Sequence, residues 1–218
     1  MENPKDPDQY LQYLRSPQEY AGEMFSAPFL FQSKKNSQEL VFFGSEHTKD
    51  LKHPQWKQIE ALFEDFVQSH KKENAVVFME IFIPTVDLPK EKMIETYGEC
   101  GLLAYLCHQS RPPCLCPEPT QDQILERLKE TQKFSDKEIA GWIELNKIPQ
   151  KTEEQKKLQN PFEKGSVFND VGSEINKARD YFIARNILKN LNEGKSVLAV
   201  FGANHVIAQK KIFEAYFK

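Results

Sequence analysis

The sequence predicts an α/β fold: a three-layer sandwich whose mostly parallel or mixed central sheet is covered by helices, with a helical insertion. Three observations carry this. Short continuous apolar runs, LVFF (40–43), AVVFMEIFI (75–83) and SVLAVF (196–201), punctuate the chain and read as strands buried on both faces, the pattern of a covered parallel sheet. Between them, apolar residues recur at steps of three and four, as on helices with one buried stripe. A charged tract at 120–165 interrupts this alternation. Strands alternating with helices of such length build α/β layers.

Taken in order, residues 1–35 form a polar N-terminal arm marked by prolines. Leu40 to Phe43 is the first strand, ending at Gly44. Trp56, Ile59, Leu62, Phe63, Phe66 and Val67 then supply the stripe of an amphipathic helix. AVVFMEIFI is β-branched and aromatic and reads as a central strand stopped by Pro84. ETYGECGLLAYLCHQS (95–110) has the length and composition of a helix, although Gly98 and Gly101 each cost about 1 kcal/mol there relative to alanine. Two glycines so close predict tight backbone packing on one side. Cys114 to Cys116 offers a short strand between prolines, followed by Glu118.

The tract 120–165 carries capping-box spacings at Thr120/Gln123, Ser135/Glu138 and Thr152/Gln155, predicting three short helices that form a lid or substrate wall. An amphipathic helix over 173–191 follows, with Ala178, Phe182, Ile183, Ile187 and Leu191 on its apolar stripe and Gly194 near its end. The last strand delivers GANH (202–205), and a final helix runs from about Val206 to Tyr216. The length of 218 residues and the absence of a repeat favour one domain over 1–218.

Composition narrows the function classes. Hydrophobic residues at 39% and charged residues at 28% suit a globular chain. With 29 basic against 32 acidic residues the net charge is -3, which provides no general attraction to nucleic acid or an anionic membrane. The start of the chain lacks a basic segment followed by a signal-length apolar core, and no run approaches the roughly 20 apolar residues of a membrane span. A cytoplasmic protein beginning at Met1 is the expectation. Cys100, Cys107, Cys114 and Cys116 lack paired zinc-ligand spacing, so free thiols are expected.

Polar residues at strand ends carry the functional reading, because ligands of open α/β sheets gather outside the carboxyl ends of the strands. GSEH (44–47) and GANH (202–205) end two strands in the same way. The glycines Gly44 and Gly202 allow a sharp turn and leave room for a ligand, and His47 and His205 project over the strand ends. Glu80 lies in an apolar strand and needs a cationic or hydrogen-bonding partner. Glu118 reads equally as a site acid or a solvated loop residue between two prolines. Arg179 suits a carboxylate or a developing oxyanion; Asp180 beside it also suits a helix start. His53 lies before a helix near the crevice, and His70 and His108 sit at helix ends.

This order of motifs, GxxH (44–47), a glutamate closing the second strand (Glu80), RDxxxA (179–184) and GxxH (202–205), resembles the superfamily of erythromycin esterases, TraB/TIKI (GumN-like) proteases and ChaN-like haem-binding lipoproteins. GSEHTKDLKHPQWKQIEALFEDF followed by VVFMEIF is most similar to the ChaN-like branch, with His53 and Gln58 at its following histidine and glutamine. The resemblance spans 40–83 and 178–207. It implies a mixed or parallel sheet with His47, His205, Glu80 and Arg179 in one pocket, serving hydrolysis in the esterase and protease branches and haem in the ChaN-like one. Two departures stand out: Ser45 replaces the usual acid, with Glu46 one place later, and Ile183 stands where methionine is frequent.

The favoured expectation is hydrolysis of an ester or amide bond in a small-molecule or peptide substrate. His47 acts as general base, Glu80 orients it, His205 and Arg179 hold the carbonyl oxygen, and Glu46 assists. Glu118, Asp180, His53, Gly44 and Gly202 contact substrate. A metal-dependent form has His47, His205 and Glu80 binding a divalent ion with an open position for water. The alternative is non-catalytic binding of haem or another small molecule in the same pocket, and a third reading is an inert crevice.

Overall fold

A computed structural model describes residues 6–23, 25–110 and 112–218. Its centre is a five-stranded mixed sheet in the order β1-β2-β5-β3-β4, formed by Phe29–Lys35 (β1), Gln38–Ser45 (β2), Ala75–Met79 (β3), Cys114–Leu115 (β4) and Ser196–Gly202 (β5). β1 pairs antiparallel with β2, and the remaining pairs are parallel.

Alternation within each apolar run divides the core into two layers. Leu40, Phe42, Val76, Phe78, Val197, Ala199 and Phe201 face the helices Val167–Asn192 (α8) and Ala203–Tyr216 (α9). Val41, Phe43, Val77, Met79, Leu198 and Val200 face Gln55–Ser69 (α3) and Lys90–Ser110 (α4). A strand whose successive side chains point to opposite faces needs apolar residues at every position when both faces are covered, which accounts for the uninterrupted runs.

Four expectations change. The arm 1–35 is structured where described: the short helices Asp8–Leu11 (α1) and Pro17–Tyr20 (α2) bury Tyr10, Leu11 and Tyr20 in the core, Leu14 between them is buried too, and the last seven residues of the arm are β1. Residues 1–5 of that arm lie outside the described residues. β1 is an edge strand with a mixed burial pattern and two terminal lysines, so it lacks a continuous apolar signature. The second predicted strand stops at Met79, leaving Ile81 and Phe82 more than half exposed. Helix α4 is broken at Gly98, which has φ 61° and ψ -135°. Finally, α9 starts at Ala203, so His205 occupies its first turn instead of a loop.

The tract 120–165 holds the three expected helices, Gln121–Glu130 (α5), Asp136–Asn146 (α6) and Glu153–Gln159 (α7), each with its capping box formed. Leu128 and Ile139 pack with Val171 and Ile175 of α8 as a small separate core. Cys100 and Cys107 are buried, Cys114 and Cys116 partly so, and all four are free thiols. No helix among the described residues is long and apolar enough to cross a membrane.

Candidate active site

Strand register brings the two GxxH steps together. Ser45 at the end of β2 stands opposite Gly202 at the end of β5, and Gly44 opposite Phe201. Neither glycine has positive φ; each permits a close approach instead. A Cβ on Gly44 would lie 2.6 Å from the Ala203 Cα, and one on Gly202 would lie 2.2 Å from Nε2 of His47. Gly44 therefore seats α9 against β2, and Gly202 makes space for the imidazole. The left-handed conformation falls on His47 itself, at φ 52°, an unusual state for a residue other than glycine and one associated with functional sites.

Glu80 is the hub. Its carboxylate accepts a hydrogen bond from Arg179 Nη2 at 3.2 Å and from the Gly202 N–H at 3.4 Å. His47 Nε2 lies 3.7 Å from one carboxylate oxygen and His205 Nε2 lies 3.8 Å from the other. Burial alone would raise its pKa, but His205, His47 and Arg179 outweigh burial and hold it at about 2.

Each histidine has its own carboxylate on the other ring nitrogen. His205 Nδ1 is 2.7 Å from Asp180, which also accepts from Gln209 Nε2 at 2.6 Å. Burial disfavours charge on His205, yet Asp180 and Glu80 together raise its pKa to about 10. His47 Nδ1 is 2.5 Å from Oε1 of Glu99, which also accepts from the Ser45 hydroxyl at 2.9 Å. The Glu99 hydrogen bond is the main cause of an upward shift at His47, with burial opposing it.

Arg179 joins the acids across the crevice. Its Nε and Nη2 donate to Glu118 at 3.1 and 2.8 Å while Nη2 also reaches Glu80. Burial disfavours the guanidinium charge, and Glu118 and Glu80 more than restore it. Glu118 is thus a bidentate partner of Arg179, which resolves the choice left open by sequence.

His47, Glu80, Arg179, Asp180 and His205 open onto a cavity of about 470 Å³ whose walls also include Tyr20 and Phe25 from the arm, Phe162 after α7 and Asn176 from α8. From the tract 120–165 only Pro161 and Phe162 reach it. Glu46 also lines the cavity, and its carboxylate pairs with His53 Nε2 at 3.2 Å. Its N–H donates to Oε1 of the fully buried Gln55. Of the expected substrate contacts, Glu118, His53 and Gly44 do not line the cavity, and Gln58 is exposed on α3.

Sequence reasoning missed Glu99, which is 3% exposed and takes the orienting position expected of Glu80. The available signal was an acid between two glycines at the start of an apolar stretch, GECGLLAYL. The arm's Tyr20 and Phe25 were missed because nothing local marks a segment that packs against residues more than a hundred positions away.

The acids and histidines could hold a divalent ion in two overlapping sets, His47–Glu80–Glu99 and Glu80–Glu118–His205. Oxygen and imidazole donors suit zinc-like ions. The sets divide the two histidines, in contrast to the expected His47–His205–Glu80 grouping. Arg179 already neutralises Glu80 and Glu118, so an ion in the second set must displace it. Haem fits less well: His205 is buried between Asp180 and Glu80, so only Nε2 of half-exposed His47, 3.7 Å from Glu80, is open to a ligand.

No protein-family model, curated protein or solved structure matches the chain.

Proposed function

We propose that this protein hydrolyses an ester or amide bond in a small-molecule or peptide substrate, with His47 as general base. The observation that carries the reading is a half-exposed histidine, held by buried Glu99, facing a cavity it shares with Arg179 and His205. Localisation in the cytoplasm is part of the same proposal.

The hydrogen bond from Nδ1–H to Glu99 leaves Nε2 as the basic atom when the ring is neutral. Nε2 takes a proton from water as the water oxygen bonds to the carbonyl carbon, and the carbonyl π pair moves onto oxygen. Protonated His205 and Arg179 place positive charge near that oxyanion, in a partly water-excluded crevice where fixed charge is most effective. Collapse re-forms the carbonyl, breaks the bond to the leaving oxygen or nitrogen, and returns the proton from Nε2 to that leaving atom. Glu80 offsets the two cations and fixes their positions, while Glu99 and Ser45 position the base.

His47→Asn tests the reading, because asparagine tolerates positive φ and removes only the titrating ring. On a panel of para-nitrophenyl esters, kcat/KM is expected to fall at least about 100-fold, the usual contribution of a general base. A folded variant with undiminished turnover overturns the proposal.

A further inference from the structure

We propose that a second, apolar chamber on the far side of His47 receives an aliphatic or aryl arm of the substrate, while the polar arm occupies the larger cavity. This rests on the hydrolase reading and extends it to a substrate class: esters or amides with one short apolar limb.

The chamber has a volume of about 300 Å³ and shares His47 and Glu80, and no other residue, with the cavity of about 470 Å³. The proposed base therefore stands between two spaces, as expected for a bond whose two sides are held separately. Both volumes fall in the range that accommodates small ligands.

The two spaces differ in chemistry. The larger is lined by the paired charges of Arg179, Asp180 and His205 and by exposed Asn204, beside the rings of Tyr20, Phe25 and Phe162. Apart from the shared His47 and Glu80, the smaller is lined by Ile81, Tyr97, Gly98 and Cys100 together with Thr48, Lys49, Thr96 and Glu99. Its charged groups are already engaged: Lys49 donates to the Thr96 carbonyl at 2.6 Å, and Glu99 is turned toward His47 and Ser45. Ile81 and Tyr97 remain 56% and 42% exposed. Isolated exposed apolar residues are ordinary, but these two line one chamber that opens onto the candidate base.

The break in α4 creates the space. Gly98 turns the chain with φ 61° and ψ -135°, and even a Cβ there would stand 3.3 Å from the Thr48 carbonyl oxygen. The same turn delivers Glu99 to His47 and lays Thr96 and Tyr97 along the chamber wall. Orientation of the base and the shape of the apolar subsite thus have one local cause.

Primary amides of increasing chain length, from acetamide to hexanamide, titrated into the isotope-labelled full chain test the chamber without requiring turnover. Backbone amide shifts at 96–100 report binding, and Kd is expected to tighten about fourfold per buried methylene, the equivalent of ~0.8 kcal/mol each. The double variant Ile81→Ser/Tyr97→Ser, altered only at exposed positions and checked for fold by circular dichroism, is expected to flatten that gradient at least tenfold for hexanamide. In parallel, hydrolysis of para-nitrophenyl acetate, butyrate and hexanoate is expected to follow the same gradient in kcat/KM. Equal affinity for acetamide and hexanamide, or an unchanged gradient in the double variant, overturns the chamber. Graded amide binding without ester turnover supports the chamber and removes the hydrolase reading; turnover indifferent to chain length does the reverse.

Discussion

His47 reaches its position in a conformation that L-residues adopt at a cost of about 1 kcal/mol or more, and the surrounding contacts hold it there. Gly202 leaves room for its ring, and Glu99 and Glu80 flank its two nitrogens. Because the Glu99 carboxylate raises the His47 pKa, the neutral base form is populated only above that raised value, and activity should climb with pH through it. Glu99→Gln removes the negative charge while retaining an acceptor. Its ascending limb in kcat/KM is expected to move to lower pH, with a lower plateau, in a pH–rate profile; an unmoved limb means that His47 is not the group being titrated. His47 was legible from its motif, but Glu99 was not, because 52 residues separate two groups that only folding brings to 2.5 Å.

At the scale of elements, α4 matters most. Length and composition predict a regular helix through 95–110, and the two glycines are the only sign of anything else. Gly101 packs as expected, since a Cβ there would lie 2.1 Å from the Met93 carbonyl oxygen. Gly98 does something different, adopting a backbone state that suits glycine alone. Gly98→Ala is expected to cost about 1–3 kcal/mol, seen as a lower urea midpoint, and to reduce turnover by displacing Glu99. A variant as stable and active as the parent would show that the turn is not required. β1 and the arm helices were not legible because their burial depends on partners remote in sequence, whereas the three capping boxes of the insertion, being local, were read correctly.

For the whole molecule, the crevice links stability to pH through opposed shifts. Glu80 is held at about 2 against an ordinary 4.5, so its contribution is present above 4.5 and lost as pH falls from there toward 2. His205 is raised from 6.5 to about 10, so its contribution is complete below 6.5 and lost as pH rises toward 10. Stability is therefore expected to peak between about pH 4.5 and 6.5. Urea midpoints measured across pH 2 to 10 with chelator present check this. Glu80→Gln should flatten the acid limb and weaken the alkaline one, since the two groups share one interaction.

By itself the sequence determined the α/β class, the buried central strands, the capped insertion helices and the two GxxH steps. All of these arise from spacing within one segment, where period and capping act over a few residues. Tertiary structure alone decided that β2 and β5 lie side by side, that Glu99 rather than Glu80 orients His47, that Glu118 clamps Arg179, and that the arm closes one wall of the cavity. Those outcomes depend on strand order and on a helix broken at one glycine, and no periodicity along the chain records which distant segments will meet.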